Sequence, residues 1–426
     1  MRFSEFLAAE WKPALGCTEP AAIAHAVALA SAQGEGPVRL VHLDCDARTY
    51  KNAYAVGIPN SNGRTGIIWS LAIGAYLPDA SLGLRAFEAV TDQILNQAQE
   101  LIEAGGVSVE VDPGHTDLHI DCTVVRDSTI DRAVLEQEHT RVALLQANGQ
   151  VKGGAGSDGG KSDAQSIRSR IGEMKISEMV DFAKSLSGED RELLRQGSTL
   201  NLAMAQHGLT LLSEQFMDSS RLDPMSQASR LVAAGVFARM SGEPKTVMSL
   251  AGSGNKGITV SVPLNLWGRE GGYTQEQIDE ALALACLLTS ATTHQLGTLS
   301  AVCGASNAAG IGVASAWTYL RGGSVEQIGY AINNMVGGVA GMICDGAKIG
   351  CAMKTMTGVD SAYRAATLAL DNLGIPATDG IVGANGDASL ENLGVLARRG
   401  MANTDAEILR IMQGKLQEQP IALLGQ

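Results

Sequence analysis

A glycine-rich segment from Asn148 to Lys161 divides the chain into two parts whose apolar residues follow different patterns. Its glycines lose much backbone entropy when they are ordered, so the segment is predicted to be a linker or a mobile loop without regular structure. No phosphate-loop spacing accompanies these glycines, which disfavours a phosphate site. The division predicts two domains, residues 1–160 and residues 161–426.

Strand-like runs and helical stretches alternate in the first part. A helix is predicted from Cys17 to Gln33, with Thr18 as the N-cap and Pro20 near its first turn. After residue 162 the pattern is mostly helical and strands are few. We therefore predict an α+β fold, with a mixed α/β N-terminal domain and a mainly helical C-terminal domain. The strand-like runs are β-branched or alternating and lie between Gly, Pro and Asp residues, at 38–45, 107–111, 118–125 and 141–145.

Charge and composition exclude several classes of partner. The formal charge of −13 and the absence of a Lys/Arg run disfavour nucleic acid and anionic membranes, both of which need a basic patch. An uncharged stretch from Gln295 to Leu320 is long enough to cross a bilayer. Its many small polar residues favour a buried helical segment instead. No membrane partner is expected.

The first residues and the cysteine count bear on the compartment. Met1 to Glu5 contain an acid and precede no apolar leader, so no secretory signal is expected and the protein is predicted to be cytoplasmic. The number of cysteines, seven, is odd, and they are scattered. This pattern favours free thiols or metal ligands over a disulfide framework.

Three glycine-rich stretches of the second part lie beside chemistry-bearing residues. Cys344 and Cys351 are seven residues apart, so both can face one site in a helix or in a loop, and Cys303 would supply a third thiolate. Three thiolates suit a four-iron cluster that keeps one iron open. The alternative is that all three are small buried apolar residues, as free cysteines usually are. That interpretation is preferred for the remaining cysteines of strand-like or apolar helical runs, Cys45, Cys122 and Cys286.

A set of ordered motifs resembles the iron–sulfur L-cysteine desulfidase family, which is related to the alpha subunit of bacterial iron–sulfur L-serine dehydratases. The resemblance extends from about Trp11 to about Met412, and Cys344 followed by Cys351 is a specific part of it. The motifs are Gly16-Cys17-Thr18-Glu19-Pro20, Lys51-Asn52, Gly252-Ser253-Gly254-Asn255 with Gly257-Ile258, and Gly341-Met342-Ile343-Cys344-Asp345-Gly346-Ala347.

The resemblance implies a four-iron, four-sulfur cluster held by Cys303, Cys344 and Cys351 in the helical domain. It implies β-elimination from L-cysteine to sulfide, ammonia and pyruvate without pyridoxal phosphate. Cys17 matches the active-site cysteine of the family, and it is expected to reach the cluster across the domain interface. Its position at a helix start predicts a lowered pKa and a role as the base, although a thiolate there would also suit a resting-state ligand of the open iron.

Five further residues are predicted to bind the amino-acid substrate. Hydroxyl, amide and backbone donors suit a carboxylate, and they are offered by Ser253, Gly254 and Asn255, with assistance from Lys51 and Asn52. A simple turn is the alternative for the first three. Glu19 is predicted to act mainly on the helix dipole. No catalytic role is predicted for the two histidines near the motifs, His25 and His294.

Alternatives remain for the substrate and for the function class. Relatives tend to carry an arginine where this chain has Thr298. Unlike arginine, threonine cannot form a bidentate pair of hydrogen bonds with a carboxylate. A β-hydroxy amino acid such as L-serine is therefore the second candidate substrate. The chain ends without a C-terminal cysteine, which favours the single-chain desulfidase. A cluster-free binding protein that keeps the fold is the alternative class, and a homodimer is the expected assembly.

Overall fold

A mixed sheet followed by a large helical region forms the architecture, which confirms the predicted α+β class. The computed structural model describes residues 1–112, 114–115, 117–154, 163–213, 216, 223–297 and 299–418. In chain order its elements are α1 (Phe3–Glu10), β1 (Trp11–Leu15), α2 (Thr18–Ser31), β2 (Val38–Asp46), α3 (Ala47–Ala53), α4 (Ile67–Gly74), a 3-10 helix (Ala80–Ala89), α5 (Asp92–Glu103), β3 (Val107–Asp112), β4 (His119–Arg126), β5 (Ile130–Glu136), β6 (Val142–Ala147), β7 (Gln150–Gly153), α6 (Asp163–Glu173), α7 (Ile176–Ala183), α8 (Gly188–Leu209), α9 (Pro224–Met240), β8 (Thr246–Leu250), α10 (Gly254–Glu270), α11 (Gln275–Leu296), α12 (Asn307–Leu320), α13 (Val325–Val339), α14 (Cys351–Leu370), α15 (Gly386–Val395) and α16 (Thr404–Glu418).

The sheet has six strands in the order β3-β2-β4-β5-β6-β7. Strands β2 and β3 are parallel, and every other neighbouring pair is antiparallel. The parallel pair needs a crossover, and helices α3, α4 and α5 with the 3-10 helix supply it. Helix α2 packs against this sheet and is buried along almost its whole length. The result is a first hydrophobic core.

The second core lies among the helices of the C-terminal part, and the start of the chain belongs to it. Phe3, Phe6 and Trp11 are buried with the helical residues and not with the sheet. Strand β1 pairs antiparallel with β8, from Trp11 opposite Leu250 to Leu15 opposite Thr246. Strand β8 was not predicted. Strand β1 and the start of α2 contact both cores, since Leu15 lies in the first core and Trp11 and Cys17 lie in the second.

The glycine-rich segment after Asn148 is partly ordered, so its prediction as wholly irregular is wrong. Strands β6 and β7 form a hairpin whose turn is Asn148-Gly149, with φ of 46° and 79°. Two positive φ values are what a two-residue type I′ hairpin turn requires, and Asn-Gly is its strongest sequence signal. The remainder of the segment, 155–162, lies outside the described residues. The predicted domain limit at residue 160 stays a prediction.

The predicted helix boundaries also need correction. The N-cap of α2 is Cys17, with φ of −75° and ψ of 142°, and not Thr18, which is the first helical residue. The uncharged stretch after Gln295 is not one helix, because α11 ends at Leu296 and α12 begins at Asn307. Helix α12 is buried, as predicted for the core. Within the described part of the chain, no helix has the length and apolar character that a membrane span needs.

Candidate functional site

One cavity of about 100 Å³ lies where the two cores meet. Its wall combines the start of α2, helix α3, the turn between β8 and α10, and the loops that precede α12 and α14. Almost all residues predicted for the site lie on this wall: Cys17, Lys51, Asn52, Ser253, Asn255, Cys303, Cys344 and Cys351. Gly254 does not. The roles predicted for these residues stay predictions, but their positions converge.

Two of the cysteines lie on loops that are joined by backbone hydrogen bonds. The Cys303 amide donates to Met342 O at 2.9 Å, and the Cys344 amide donates to Ala301 O at 2.7 Å. Cys351 is the first residue of α14, and its Sγ lies 3.5 Å from the carbonyl oxygen of Gly346. Three separate elements therefore present thiols to one cavity.

Three cysteine thiols on one cavity wall are a donor set that suits an iron–sulfur cluster. Among the described residues no three His, Cys, Asp or Glu side chains are close enough to share one ion. A cubane takes each thiolate on a different iron, so its ligands stand farther apart. Burial, followed by the charges of Cys344 and Cys351, raises the pKa of Cys303. Neighbouring thiols therefore oppose one another's ionisation, and a bound cationic group would favour their thiolate forms.

The thiol of Cys17 is buried and protonated, contrary to the lowered pKa expected at a helix start. Burial raises its pKa well above the usual value, and the charge of Glu19 raises it further. The thiol donates to Glu19 Oε2 at 3.1 Å. A nearby carboxylate and the loss of water outweigh the helix dipole here, because a dipole at an exposed terminus contributes only about 0.3–1 kcal/mol.

Glu19 is the centre of a hydrogen-bonded group, which the helix-dipole interpretation did not foresee. Its carboxylate accepts from Thr18 Oγ1 at 2.9 Å and from Asn52 Nδ2 at 2.9 Å, in addition to Cys17. His139 Nε2 lies 3.8 Å from Glu19 Oε1. Burial acts to raise the pKa of Glu19, but His139 and the hydrogen bonds outweigh it and hold the pKa well below its usual value. The cavity therefore contains one fixed carboxylate.

Lys51 is occupied by structural contacts. Its Nζ donates to Cys344 O at 2.6 Å and pairs with Asp405 Oδ1 at 2.5 Å, and the side chain is 1% exposed. Arg48 pairs with the other oxygen of Asp405 at 2.8 Å. A side chain at Gly346 would overlap Lys51 O, so the glycine allows the Cys344 loop to approach α3. Lys51 thus connects the predicted cluster loop to α16.

A tight turn at Ala251-Gly252 brings β8 directly into α10. Ala251 has a φ of 47° and Gly252 of 76°, and the positive φ of a residue with a side chain marks local strain. Thr18 Oγ1 donates to Gly252 O at 3.2 Å, and Lys256 Nζ donates to Ala251 O at 3.2 Å. Burial and the charge of Arg168 lower the pKa of Lys256 to about 7. The cavity therefore holds a lysine that is partly neutral near pH 7.

Arg239 is a further buried basic residue of the cavity wall, beside Lys51 and Lys256. It donates from Nη2 to Gly16 O at 2.6 Å and from Nη1 to Asn255 Oδ1 at 2.9 Å. A side chain at Gly254 would overlap its Nε. Gly254 therefore makes room for the guanidinium instead of lining the cavity.

Sequence reasoning did not identify four charged or titratable residues of the site: His139, Arg239, Lys256 and Arg48. Lys256 and Arg48 flank the quoted motifs, so motif proximity was an available signal for them. His139 and Arg239 lie in unremarkable runs, and only the fold brings them to the cavity. His25 and His294 do not line it, and Thr298 lies outside the described residues. The predicted core cysteines Cys45, Cys122 and Cys286 are fully buried, which confirms that prediction.

This chain is similar in sequence to known proteins over nearly its full length. A family profile described as serine dehydratase alpha chain matches residues 84–410. A UPF0597 protein of Caldanaerobacter subterraneus subsp. tengcongensis is 35% identical over 97% of this chain and 98% of its own length. A UPF0597 protein of Geobacter sulfurreducens is 34% identical over 98% of this chain and 99% of its own length. The matched profile includes the three clustered cysteines of the cavity and excludes the segment that carries Cys17.

Proposed function

This chain belongs to the serine dehydratase alpha-chain family, and from that premise we propose that it is an iron–sulfur lyase that converts L-cysteine to sulfide, ammonia and pyruvate. The observation that carries the proposal is the convergence of Cys303, Cys344, Cys351 and Cys17 on one cavity. That cavity is also lined by the Glu19 carboxylate and by three buried basic side chains, Lys51, Lys256 and Arg239, so both signs of charge are available to a zwitterionic amino acid.

Cys303, Cys344 and Cys351 would hold the cluster through their thiolates. When bound, a four-iron cluster with three protein ligands supplies an open iron that acts as a Lewis acid toward the leaving group on the β-carbon. The protein supplies the remaining chemistry. The loops that carry Cys303 and Cys344 are cross-linked by hydrogen bonds, and Lys51 fixes the second loop to α16. This support keeps the ligands oriented.

Proton transfer is assigned to the side chains that face the cavity. Elimination removes the α-proton and breaks the β-carbon–sulfur bond, which gives an aminoacrylate and sulfide. Lys256, partly neutral near pH 7, accepts the α-proton at Nζ. Cys17, held protonated by Glu19, donates its proton to the β-carbon of the aminoacrylate. Water then hydrolyses the imine to pyruvate and ammonia, so that cysteine and water balance the three products.

L-Serine is the second candidate substrate, and the description of the matched family favours it. Its hydroxyl group would leave as water where cysteine loses sulfide. The proton requirements at the α- and β-carbons are the same for both substrates. The leaving group alone therefore distinguishes the two reactions, and both fall within the proposed lyase class.

The decisive experiment is an anaerobic assay after reconstitution with iron and sulfide. Release of sulfide, ammonia and 2-oxo acid is measured over a panel of β-thio and β-hydroxy amino acids. Equal yields of the three products from L-cysteine are expected. Ammonia from L-serine, without sulfide from L-cysteine, would replace the first substrate with the second. No product from any member of the panel would refute the lyase.

Iron counting tests the ligand assignment separately from turnover. Cys344→Ala is expected to lose the reconstituted cluster, because one iron would lack its protein ligand. Cys286→Ala is the matched control, since Cys286 is buried in α11 and does not line the cavity. A full iron content in Cys344→Ala would remove that residue from the cluster.

A further inference from the structure

Arg239 is a buried arginine whose charge has no carboxylate partner in the described part of the chain. Its side chain lies in α9, and the residue is 2% exposed. The two hydrogen bonds that it donates go to neutral acceptors, the Gly16 carbonyl and the Asn255 amide oxygen. Its Nε has no hydrogen-bond acceptor among the described residues. A charge buried in this way is unfavourable unless a counter-charge reaches it.

The carboxylate of Glu19 does not supply this counter-charge. The two carboxylate oxygens of Glu19 accept hydrogen bonds from Cys17, Thr18 and Asn52. Neither oxygen lies within 4.0 Å of a guanidinium nitrogen of Arg239 in the described structure. Other buried arginines of the chain are treated differently. Arg126 pairs with Asp131 at 3.2 Å, and Arg168 pairs with Glu10 at 2.8 Å. Arg239 therefore differs from them both in its partners and in facing the cavity.

The neighbouring backbone leaves space for the guanidinium at the start of α10. Gly254 is the first residue of that helix, and a methyl group there would overlap Arg239 Nε and Cζ. Ser253, the N-cap of α10, and Asn255 in its first turn both line the cavity, as Arg239 does. The N-terminus of a helix attracts anions, and the positive charge of Arg239 strengthens that attraction at the start of α10.

We propose that Arg239 receives the α-carboxylate of the substrate, together with the start of α10, and thereby restricts the enzyme to free α-amino acids. Arginine binds carboxylates through two parallel hydrogen bonds, and it keeps N–H groups available beyond those used for Gly16 and Asn255. The carboxylate supplies the missing counter-charge. Amides and decarboxylated amines are excluded, because they leave the guanidinium unpaired.

The proposal rests on the proposed function for the identity of the substrate, and its test needs no turnover. L-Alanine has no β-leaving group, so it binds without reacting, and L-alaninamide differs from it by the carboxylate charge. Both are titrated calorimetrically into the reconstituted and the cluster-free protein. Wild-type protein is expected to prefer L-alanine by about 10- to 100-fold, from one or two charge-assisted hydrogen bonds.

Variants test whether Arg239 causes this preference. Arg239→Gln is expected to bind both ligands about equally. Arg239→Lys is expected to keep part of the preference, because lysine keeps the positive charge but cannot bind the carboxylate bidentately. Gly254→Ala should reduce the preference by displacing the guanidinium, which provides the same comparison if Arg239→Gln does not fold. Arg126→Gln removes a buried arginine that does not line the cavity, and it should leave the preference unchanged.

The outcomes separate the two proposals. Equal wild-type affinity for L-alanine and L-alaninamide would overturn the proposed role of Arg239. The role would also be overturned if Arg239→Gln lowered both affinities by the same factor and so kept the preference for L-alanine. A purely positioning role through Gly16 and Asn255 predicts that parallel loss. A wild-type protein that prefers L-alanine but releases no product from the amino-acid panel would support the carboxylate site and refute the lyase.

Discussion

Replacing Lys51 with methionine tests whether this residue supports the predicted cluster loop or binds substrate. Methionine keeps most of the side-chain volume but removes the ammonium group. Two contacts are lost, the hydrogen bond to Cys344 O at 2.6 Å and the ion pair with Asp405 at 2.5 Å. The change therefore acts on the loop and on α16 together.

The magnitude follows from burial. Lys51 is 1% and Asp405 is 9% exposed, so the pair is shielded from water. Removing one partner of a buried pair typically destabilises a protein by about 3–5 kcal/mol. Arg48 still pairs with Asp405 at 2.8 Å and is 30% exposed, which leaves the carboxylate partly compensated. We expect a loss near the lower end, about 3 kcal/mol.

The assay combines urea unfolding, iron content after reconstitution, and steady-state kinetics. Lys51→Met should lower the free energy of unfolding, retain less iron because the Cys344 carbonyl loses its donor, and leave KM of the remaining holoenzyme nearly unchanged. In Lys51→Met/Asp405→Leu part of the stability should return, because no buried carboxylate is left. Lys245→Met, at an exposed position, serves as the control.

The opposite pattern would refute this reasoning. A Lys51→Met protein with wild-type stability and full iron content, but with a KM raised at least about 10-fold, would show that the ammonium binds substrate. The substrate-binding role predicted from the motif would then be supported, and the contacts with Cys344 and Asp405 would be incidental.

Three further predictions follow from the same geometry. Cys17→Ser and Glu19→Gln should each keep the iron content and lower kcat by about 10²–10⁴-fold, measured as anaerobic ammonia release, because proton transfer is impaired; unchanged turnover would remove either residue from the mechanism. Burial raises the pKa of Asp405 but the Lys51 charge and the hydrogen bonds outweigh it, so the net pKa is lowered. Its stabilising effect is present above about pH 4 and is lost as the pH falls. Unfolding of Asp405→Asn should therefore depend less on pH between about 5 and 3 than that of the wild type, and equal slopes would contradict this. Gly257→Ala would overlap Met248 O and should reduce stability by at least about 2 kcal/mol in thermal unfolding, whereas Gly414→Ala, where nothing lies within 4 Å, should not.

Local patterns were sufficient for the elements whose formation depends on nearby residues. Four strands of the six-stranded sheet (β2, β3, β4 and β6) and the long helices were predicted from apolar periodicity, since burial on one face imposes that period. Strands β5 and β7 were not predicted. The errors arose where distant residues decide. Strand β8 exists because Trp11–Leu15 lies beside it, and no pattern within Thr246–Leu250 reveals that partner. The Asn148-Gly149 hairpin was different, because its turn signal was present in the sequence and was outweighed by the surrounding glycines.

The motifs also indicated most of the cavity residues, but not the chemical state of the thiol at its centre. A cysteine at a helix start suggests a lowered pKa when only the helix is considered. The fold removes water from Cys17 and places Glu19 at 3.1 Å, and both effects favour the protonated thiol. Desolvation depends on every element that packs against a group, so it cannot be read from neighbours in the chain.

The sequence by itself therefore determined the fold class, the family and the cysteines that converge, because these depend on residue type and on order along the chain. Only the tertiary structure decided which charges share the cavity with them. Glu19 accepts a hydrogen bond from Cys17, and Lys51 forms an ion pair with Asp405. Arg239 has no carboxylate partner among the described residues. Pairing of buried charges is decided by distances of a few ångströms between elements far apart in sequence, because the Coulomb energy and the desolvation penalty both depend on that local geometry.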